Sequence, residues 1–345
     1  MIGIRADGNA SIGMGHLMRC FSIAVALREK NIPVIFFTDS LESLALIEER
    51  GIPCEFVKPV DEFEDELSNL IHLIHENNIK MLLVDSYRAT PDYMLYLKKE
   101  VFVIYIDDIA AKVLPADCLI NYNIYGDALP YKELYDESTA LLLGSRFAPV
   151  KREFSEMDYR LKEHVNTILI TMGGSDSLNI AGQIGELLLN VIPESIEIIL
   201  ICGRFSPHYS LVRELELKSK RVSVLTDVKD MWNVMVKADI AIAAAGSTMY
   251  ELCTLGVPSV CCYYVENQRL IAEAFGVRTS MVNAGDFSEN PNLVLQNIKE
   301  EVIKLINDYP KRKLLSEEMH NITDGKGANR IADYFDRMLA SGQVL

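Results

Sequence analysis

Apolar residues alternate along this chain between short continuous runs and stretches spaced three and four apart, with turn-forming residues between them, the pattern of parallel β-α units. A first run closes at Ile4-Arg5-Ala6-Asp7, and Ile23, Ala24, Ala26 and Leu27 follow at helical spacing. Val34 to Thr38, Cys54 to Val57, Met81 to Val84, Val101 to Ile106 and a last short run at Cys118 to Asn121 read as further strands of a first sheet. Pro149 and the charged Lys151-Arg152-Glu153 mark a crossing, after which the alternation restarts. Thr167 to Met172, Ile196 to Cys202, Val222 to Leu225, Asp239 to Ala243 and the run after Pro258 form the second set, and Ile331, Tyr334, Phe335 and Met338 pattern a terminal helix. The chain therefore reads as α/β, with Rossmann-like domains at 1–150 and 151–345, the second including the terminal helix.

The turns after the strands carry the chemistry, because ligands of open parallel sheets collect beyond the carboxyl ends of the strands. In the first turn, Gly13 and Gly15 let backbone approach a ligand, and His16 adds a group that exchanges a proton near neutral pH. His16 is the candidate catalyst. A dinucleotide fingerprint needs a third glycine where Met18 stands, and no Lys-Ser or Lys-Thr completes a phosphate loop of the Walker type. Asp85-Ser86-Tyr87 follows a later strand, where Tyr87 can donate a hydrogen bond. Asp107 and Asp108 adjoin, so mutual repulsion can raise the pKa of one of them. His72 and His75 sit three apart without a third ligand and read as ordinary helix residues.

In the second half, Gly173-Gly174-Ser175 opens a turn whose amides and hydroxyl suit a phosphate or sugar. Gly246-Ser247-Thr248 leads from a strand into a helix with Glu251 one turn inside. The amides suit a diphosphate, and Glu251 suits the two hydroxyls of a ribose, although a capping box would use the same residues. Asn267 and Gln268 place hydrogen-bonding groups at the end of the next strand.

Composition narrows the field. The 345 residues carry 34 Lys plus Arg against 49 Asp plus Glu, a formal charge of −15, which disfavours nucleic acid and anionic lipid as partners. Residues 1–150 hold 13 basic against 23 acidic residues, which argues against a lipid-borne acceptor and stable membrane association. No apolar stretch is long enough to span a bilayer, and seven scattered cysteines do not make a disulfide framework. A cytoplasmic monomer is expected, with no metal and no cofactor.

Taken in order, Arg5-Ala6-Asp7, Gly13-Met14-Gly15-His16-Leu17-Met18-Arg19-Cys20, Asp85-Ser86-Tyr87, Asp107-Asp108, Met172 to Asp176, Ala245 to Thr248 with Glu251, Glu266-Asn267-Gln268 and Asp324 to Gly327 resemble the PseG family of UDP-sugar hydrolases, within the MurG-like GT-B superfamily. The resemblance implies a GT-B fold, two Rossmann-like domains facing a central cleft, the nucleotide held mainly by the second and the sugar set against the first. It implies release of UDP from UDP-2,4-diacetamido-2,4,6-trideoxy-β-L-altropyranose in pseudaminic acid biosynthesis, for bacterial surface glycans and flagellin. His16 falls on the family's catalytic histidine, Tyr87 on its cleft tyrosine and Glu251 on the ribose-binding glutamate. Arg5, Asp7, Gly13, Gly15, Gly173, Gly174, Ser175, Gly246, Ser247, Thr248, Asn267 and Gln268 are the further substrate-binding candidates. UDP leaves as a stabilised anion, so positive helix N-termini and one base for water suffice, and a single displacement inverts the anomeric centre. A glycosyltransferase with a soluble acceptor and a non-catalytic nucleotide-sugar module are the alternatives.

Overall fold

A computed structural model describes residues 1–8, 15–60, 63–203 and 206–342. The chain forms two compact units, residues 1–150 with 326–345, and residues 151–325. In the first, the order is β1 (Ile2–Ala6), α1 (Gly15–Glu29), β2 (Val34–Thr38), α2 (Leu41–Glu49), β3 (Cys54–Phe56), α3 (Leu67–Glu76), β4 (Met81–Asp85), α4 (Pro91–Leu97), β5 (Phe102–Ile106), β6 (Cys118–Asn121), α5 (Tyr131–Leu134) and β7 (Ala140–Leu143). All strand pairs are parallel, in the order β3-β2-β1-β4-β5-β6-β7. β1, β2 and β4 are buried throughout, which is why they read as apolar runs without alternation. One face of the sheet packs Phe37, Leu82, Val84, Val103 and Leu119 against Leu70, Tyr93 and Leu97 of the helices.

Two elements here escape the apolar pattern. β7 is a four-residue edge strand, partly exposed at three positions, so Cys118–Asn121 is not the last strand of the sheet. α4 is seven residues long and is set by its ends: Thr90 accepts the Tyr93 amide at 3.2 Å, and Pro91 occupies the first helical position.

The second unit runs α6 (Arg152–Glu156), β8 (Thr167–Thr171), α7 (Ile180–Leu189), β9 (Glu197–Cys202), α8 (Tyr209–Lys218), β10 (Val222–Thr226), α9 (Met231–Met235), β11 (Ile240–Ala244), α10 (Thr248–Leu255), β12 (Ser259–Tyr263), α11 (Glu266–Arg278), β13 (Asn283–Asp286), α12 (Pro291–Asn307) and α13 (Tyr309–His320). Its parallel sheet has the order β10-β9-β8-β11-β12-β13. Val294, Ile298, Val302 and Leu305 give α12 its buried stripe, and Asp308 ends that helix and caps α13 through the Lys311 amide.

α14 (Gly327–Ser341) belongs to the first unit, which corrects the expectation that the second domain runs to residue 345. Ile331, Ala332 and Phe335 bury its apolar face, Lys30 in the turn after α1 lies 2.6 Å from Asp333, and the Cys118 thiol bonds Tyr334. A Cβ on Gly327 would fall 2.1 Å from the Ala148 carbonyl oxygen, so only glycine allows this helix to start against that loop.

Each sheet has one place where the chain reverses its direction of growth, between β1 and β4 in the first unit and between β8 and β11 in the second. Crevices beyond the strand ends at such points are where open α/β sheets bind ligands. The chemistry-bearing turns follow these strands.

Candidate active site

His16 lies in the first turn of α1 and Arg19 one turn later, so both side chains share a helix face. That face meets the end of β4. His16 Nδ1 lies 2.5 Å from Asp85 Oδ1, and Arg19 grips the same carboxylate from Nε and Nη2, each at 2.6 Å. Arg19 also reaches Asp108, from Nη1 to Oδ1 at 2.9 Å and from Nη2 to Oδ2 at 3.1 Å, and its Nη1 donates to the Tyr122 hydroxyl at 3.0 Å. These contacts use all five N–H groups of the guanidinium. Burial opposes ionisation of Asp85, but the Arg19 charge, with the hydrogen bonds from Arg19 and His16, outweighs it and holds the carboxyl well below the usual range. Burial likewise opposes ionisation of Asp108, and Arg19, then His16 and the Tyr87 hydroxyl, hold it low.

An ionised Asp85 only accepts hydrogen bonds, so the short contact assigns the proton to His16 Nδ1. Arg19 Nη2 lies 3.2 Å from the same nitrogen, but two donors cannot bond, and the carboxylate decides the tautomer. Nε2 is left as the lone-pair nitrogen. His16 is 6% exposed. The ring of Tyr87 meets it edge-on at 4.7 Å between centroids.

Tyr87 was expected to donate to a ligand; its proton goes instead to Asp108 Oδ2, at 2.6 Å. Only its oxygen lone pairs are open to a ligand. Of the adjacent pair Asp107 and Asp108 one carboxyl is raised, as expected, with the Asp108 charge a lesser cause than burial. Asp107 is raised chiefly by burial, receives the Tyr131 hydroxyl and ties the following turn through the Ile109 and Ala110 amides, whereas Asp108 faces Arg19.

Arg5 is a correction as a ligand-binding candidate. It is fully buried, with Nε and Nη2 on Glu66 at 2.9 and 3.0 Å, Nη1 on Asp7 at 3.1 Å and Nη2 3.1 Å from Asp39. Asp7 is buried beside it and accepts the Ser86 hydroxyl at 2.5 Å. Their polar groups are thus engaged within the chain, to Glu66, Asp39 and Ser86. Gly13 lies outside the described residues; Gly15, exposed at the start of α1, has open space where a Cβ would stand.

In the second unit, Gly173 (φ +80°) and Gly174 are exposed in the turn after β8. The amides of Gly173, Gly174 and Ser175 have no protein partner among the described residues. Asp176 next in line caps α7, accepting the Ile180 and Ala181 amides at 2.7 and 3.0 Å. The positive end of α7 is therefore occupied by a carboxylate of the chain, and the glycine turn rather than the helix end is open to an anion. Ser175 bonds the Tyr264 hydroxyl, which in turn donates to the Met172 carbonyl at 3.0 Å.

The turn after β11 differs. Ser247 makes no side-chain cap, and the Ser247 and Thr248 amides at the start of α10 have no protein partner among the described residues, so a capping box is absent. Glu251 sits in that first turn, half-buried and without a hydrogen-bond partner among the described residues. Burial pushes its carboxyl up to about 7, against the charge of Lys151. Tyr250 points into the core against Phe275. Asn267 and Gln268 begin α11 rather than end β12; Asn267 is exposed, while Gln268 Oε1 accepts the Tyr264 amide at 3.3 Å.

Sequence reasoning did not single out Arg19 or Asp85 as site residues, and it weighed Asp108 only as one of an adjacent pair. The available signal was spacing: Arg19 stands three residues after His16, Asp85 ends a strand on the ligand edge, and Asp108 lies two residues past the end of another. Among the described residues no helix is long and apolar enough to cross a membrane, and no three His, Cys, Asp or Glu side chains converge as metal ligands.

The chain matches no protein-family model. It is 26% identical over 344 residues to the spore coat polysaccharide biosynthesis protein SpsG of Bacillus subtilis, covering 96% of each chain. It is 27% identical to the UDP-2,4-diacetamido-2,4,6-trideoxy-β-L-altropyranose hydrolase of Campylobacter jejuni, over 78% of this chain and 93% of that one. Among solved structures it is similar to MurG of Acinetobacter baumannii, with a TM-score of 0.68 and 16% identity over 98% of this chain and 99% of the other. The resemblance to PseG-type and MurG-like proteins thus extends beyond the motifs, and the fold is GT-B, α/β with two Rossmann-like units.

Proposed function

We propose that the chain is a GT-B enzyme acting on a UDP-sugar, and specifically a hydrolase that releases UDP from UDP-2,4-diacetamido-2,4,6-trideoxy-β-L-altropyranose with inversion. The observation that carries this reading is the His16 Nδ1 to Asp85 contact of 2.5 Å, which leaves Nε2 as a base. The Campylobacter jejuni relative supports the substrate.

In this reading the first unit supplies the base and the second holds the nucleotide. The amides of Gly173, Gly174, Ser175, Ser247 and Thr248 and the Glu251 carboxylate have no partner among the described residues; the amides suit the diphosphate, and the carboxylate suits the ribose hydroxyls. His16 Nε2 takes a proton from water as its oxygen bonds the anomeric carbon. The carbon–oxygen bond to UDP breaks with its electron pair on the phosphate, where amide dipoles stabilise it, so no acid is needed. Tyr87, with its own proton committed to Asp108, accepts a hydrogen bond from the sugar or the water. Asn267, exposed at the start of α11, and Gly15 are the remaining contacts of this reading. The product enters pseudaminic acid formation, and the enzyme works as a cytoplasmic monomer.

The test is UDP release without acceptor by wild type and His16→Asn. The wild type should release UDP, and the variant should lose turnover by at least about 100-fold while still binding UDP. Near-wild-type turnover by His16→Asn would rule out His16 as the base. Release only on addition of a sugar hydroxyl acceptor would make the enzyme a transferase.

A further inference from the structure

We propose that Arg19 is the positioning residue of this site: it fixes the tautomer of His16 through Asp85 and sets the charge around the ring through Asp108. The inference rests on the reading of His16 as base. Its geometry stands apart from that reading. One guanidinium spans two carboxylates from the ends of different strands, Asp85 at 2.6 Å and Asp108 at 2.9 Å, with every N–H engaged. Buried carboxylates keep their charge only when paired in this way. Without Arg19, Asp85 and Asp108 would compete for protons, and a protonated Asp85 could donate to His16 and reverse the tautomer.

Among the described residues, the groups facing the imidazole are Arg19 and, through Asp85, the Cys20 thiol from α1; Asp85 from β4; the Tyr87 ring from the loop after it; Asp108 from beyond β5; and Tyr122, through Arg19, from beyond β6. One guanidinium against two carboxylates leaves a single net negative charge beside a neutral ring, and a protonated ring cancels it. The cluster thus favours the imidazolium that proton abstraction creates. Lysine in place of Arg19 keeps the charge but cannot fork between Asp85 and Asp108.

Nitrogen-15 NMR of the imidazoles tests this without substrate, His16 being assigned by its loss in His16→Asn. Wild type should show Nδ1 protonated and Nε2 bare in the neutral ring. Arg19→Lys should populate both tautomers and lower kcat/KM by tenfold or more. Asp108→Asn, which leaves the Arg19 grip on Asp85, should keep the Nδ1-protonated tautomer and lower kcat/KM several-fold by removing one of the charges that favour the imidazolium. An Nε2-protonated ring in wild type, a single unshifted tautomer and unchanged rate in Arg19→Lys, or a reversed tautomer or unchanged rate in Asp108→Asn would each overturn the proposal. If the tautomer behaves as stated but no UDP-sugar is hydrolysed, the hydrolase reading fails and the positioning role stands. Asp108→Asn and the wild-type spectrum decide the matter if Arg19→Lys does not fold.

Discussion

His16 and Asp85, 69 positions apart in sequence, meet at 2.5 Å because the first turn of α1 faces the end of the neighbouring strand β4. Asparagine in place of Asp85 removes the carboxylate that assigns the proton to Nδ1, and its amide can present a donor there instead. Asp85→Asn should therefore lower kcat by about 100-fold or more, with UDP affinity within twofold of wild type. A rate within threefold of wild type would show that Asp85 does not orient the base. Isothermal titration with UDP and an initial-rate assay measure the two halves.

Glu251 gives a pH signature. Its carboxyl, raised to about 7 by burial, is largely protonated below neutrality. Ribose hydroxyls donate best to the carboxylate, so the contribution of Glu251 to UDP binding should grow as pH rises through 7 and then level. UDP takes up a proton in a similar range, which the ratio of Kd for Glu251→Gln to Kd for wild type cancels. That ratio should climb several-fold between about pH 5.5 and 8, as expected for a carboxyl titrating near 7. A flat ratio would remove Glu251 from the ribose site.

Much of this site is legible in the sequence, and the illegible part has a physical pattern. The strands buried on both faces announce themselves as apolar runs, as β1, β2 and β4 do, and the turns that follow them locate His16, Tyr87, Gly173 and Glu251. What sequence does not show is how a polar group is satisfied. Arg5 and Arg19 both neighbour a ligand-side turn, yet Arg5 turns under the sheet edge to Glu66, 61 residues away, and Arg19 reaches Asp85 and Asp108. Asp176 looks like part of a phosphate turn and is the cap of α7. α14 joins the first unit through contacts with α1 and the Ala148 loop, which no local pattern encodes.

The buried pairs make stability depend on pH with a definite sign. Asp85 and Asp108 are held below the ordinary carboxylate range, so their contribution is complete above about pH 4 and disappears as pH falls through their lowered values. Glu66→Gln, which leaves Arg5 with fewer charges in a fully buried position, should cost about 3 kcal/mol at pH 7 by denaturant unfolding. Asp108→Asn should also destabilise at pH 7, with its difference from wild type shrinking below about pH 4. A difference that widens towards acid would mean that Asp108 is not held ionised.

Gly203 packs against the Gly173-Gly174 turn. A Cβ there would fall 2.3 Å from the carbonyl oxygens of both Gly173 and Gly174, so Gly203→Ala must displace that backbone. UDP affinity should drop at least about tenfold if the displaced amides bind the diphosphate, since each lost charge-assisted bond carries about 1.5 kcal/mol or more. Uridine, which lacks the phosphates, should lose less than threefold. Equal losses for both ligands would place the diphosphate elsewhere.

The most direct measurement is turnover of UDP-2,4-diacetamido-2,4,6-trideoxy-β-L-altropyranose in heavy-oxygen water with no acceptor, read by mass spectrometry of both products and rapid NMR of the sugar. Attack by a His16-activated water on the anomeric carbon predicts label in the C1 hydroxyl, unlabelled UDP and an inverted first-formed anomer. Label in the phosphate of UDP, or a retained first-formed anomer, would contradict single displacement by that water.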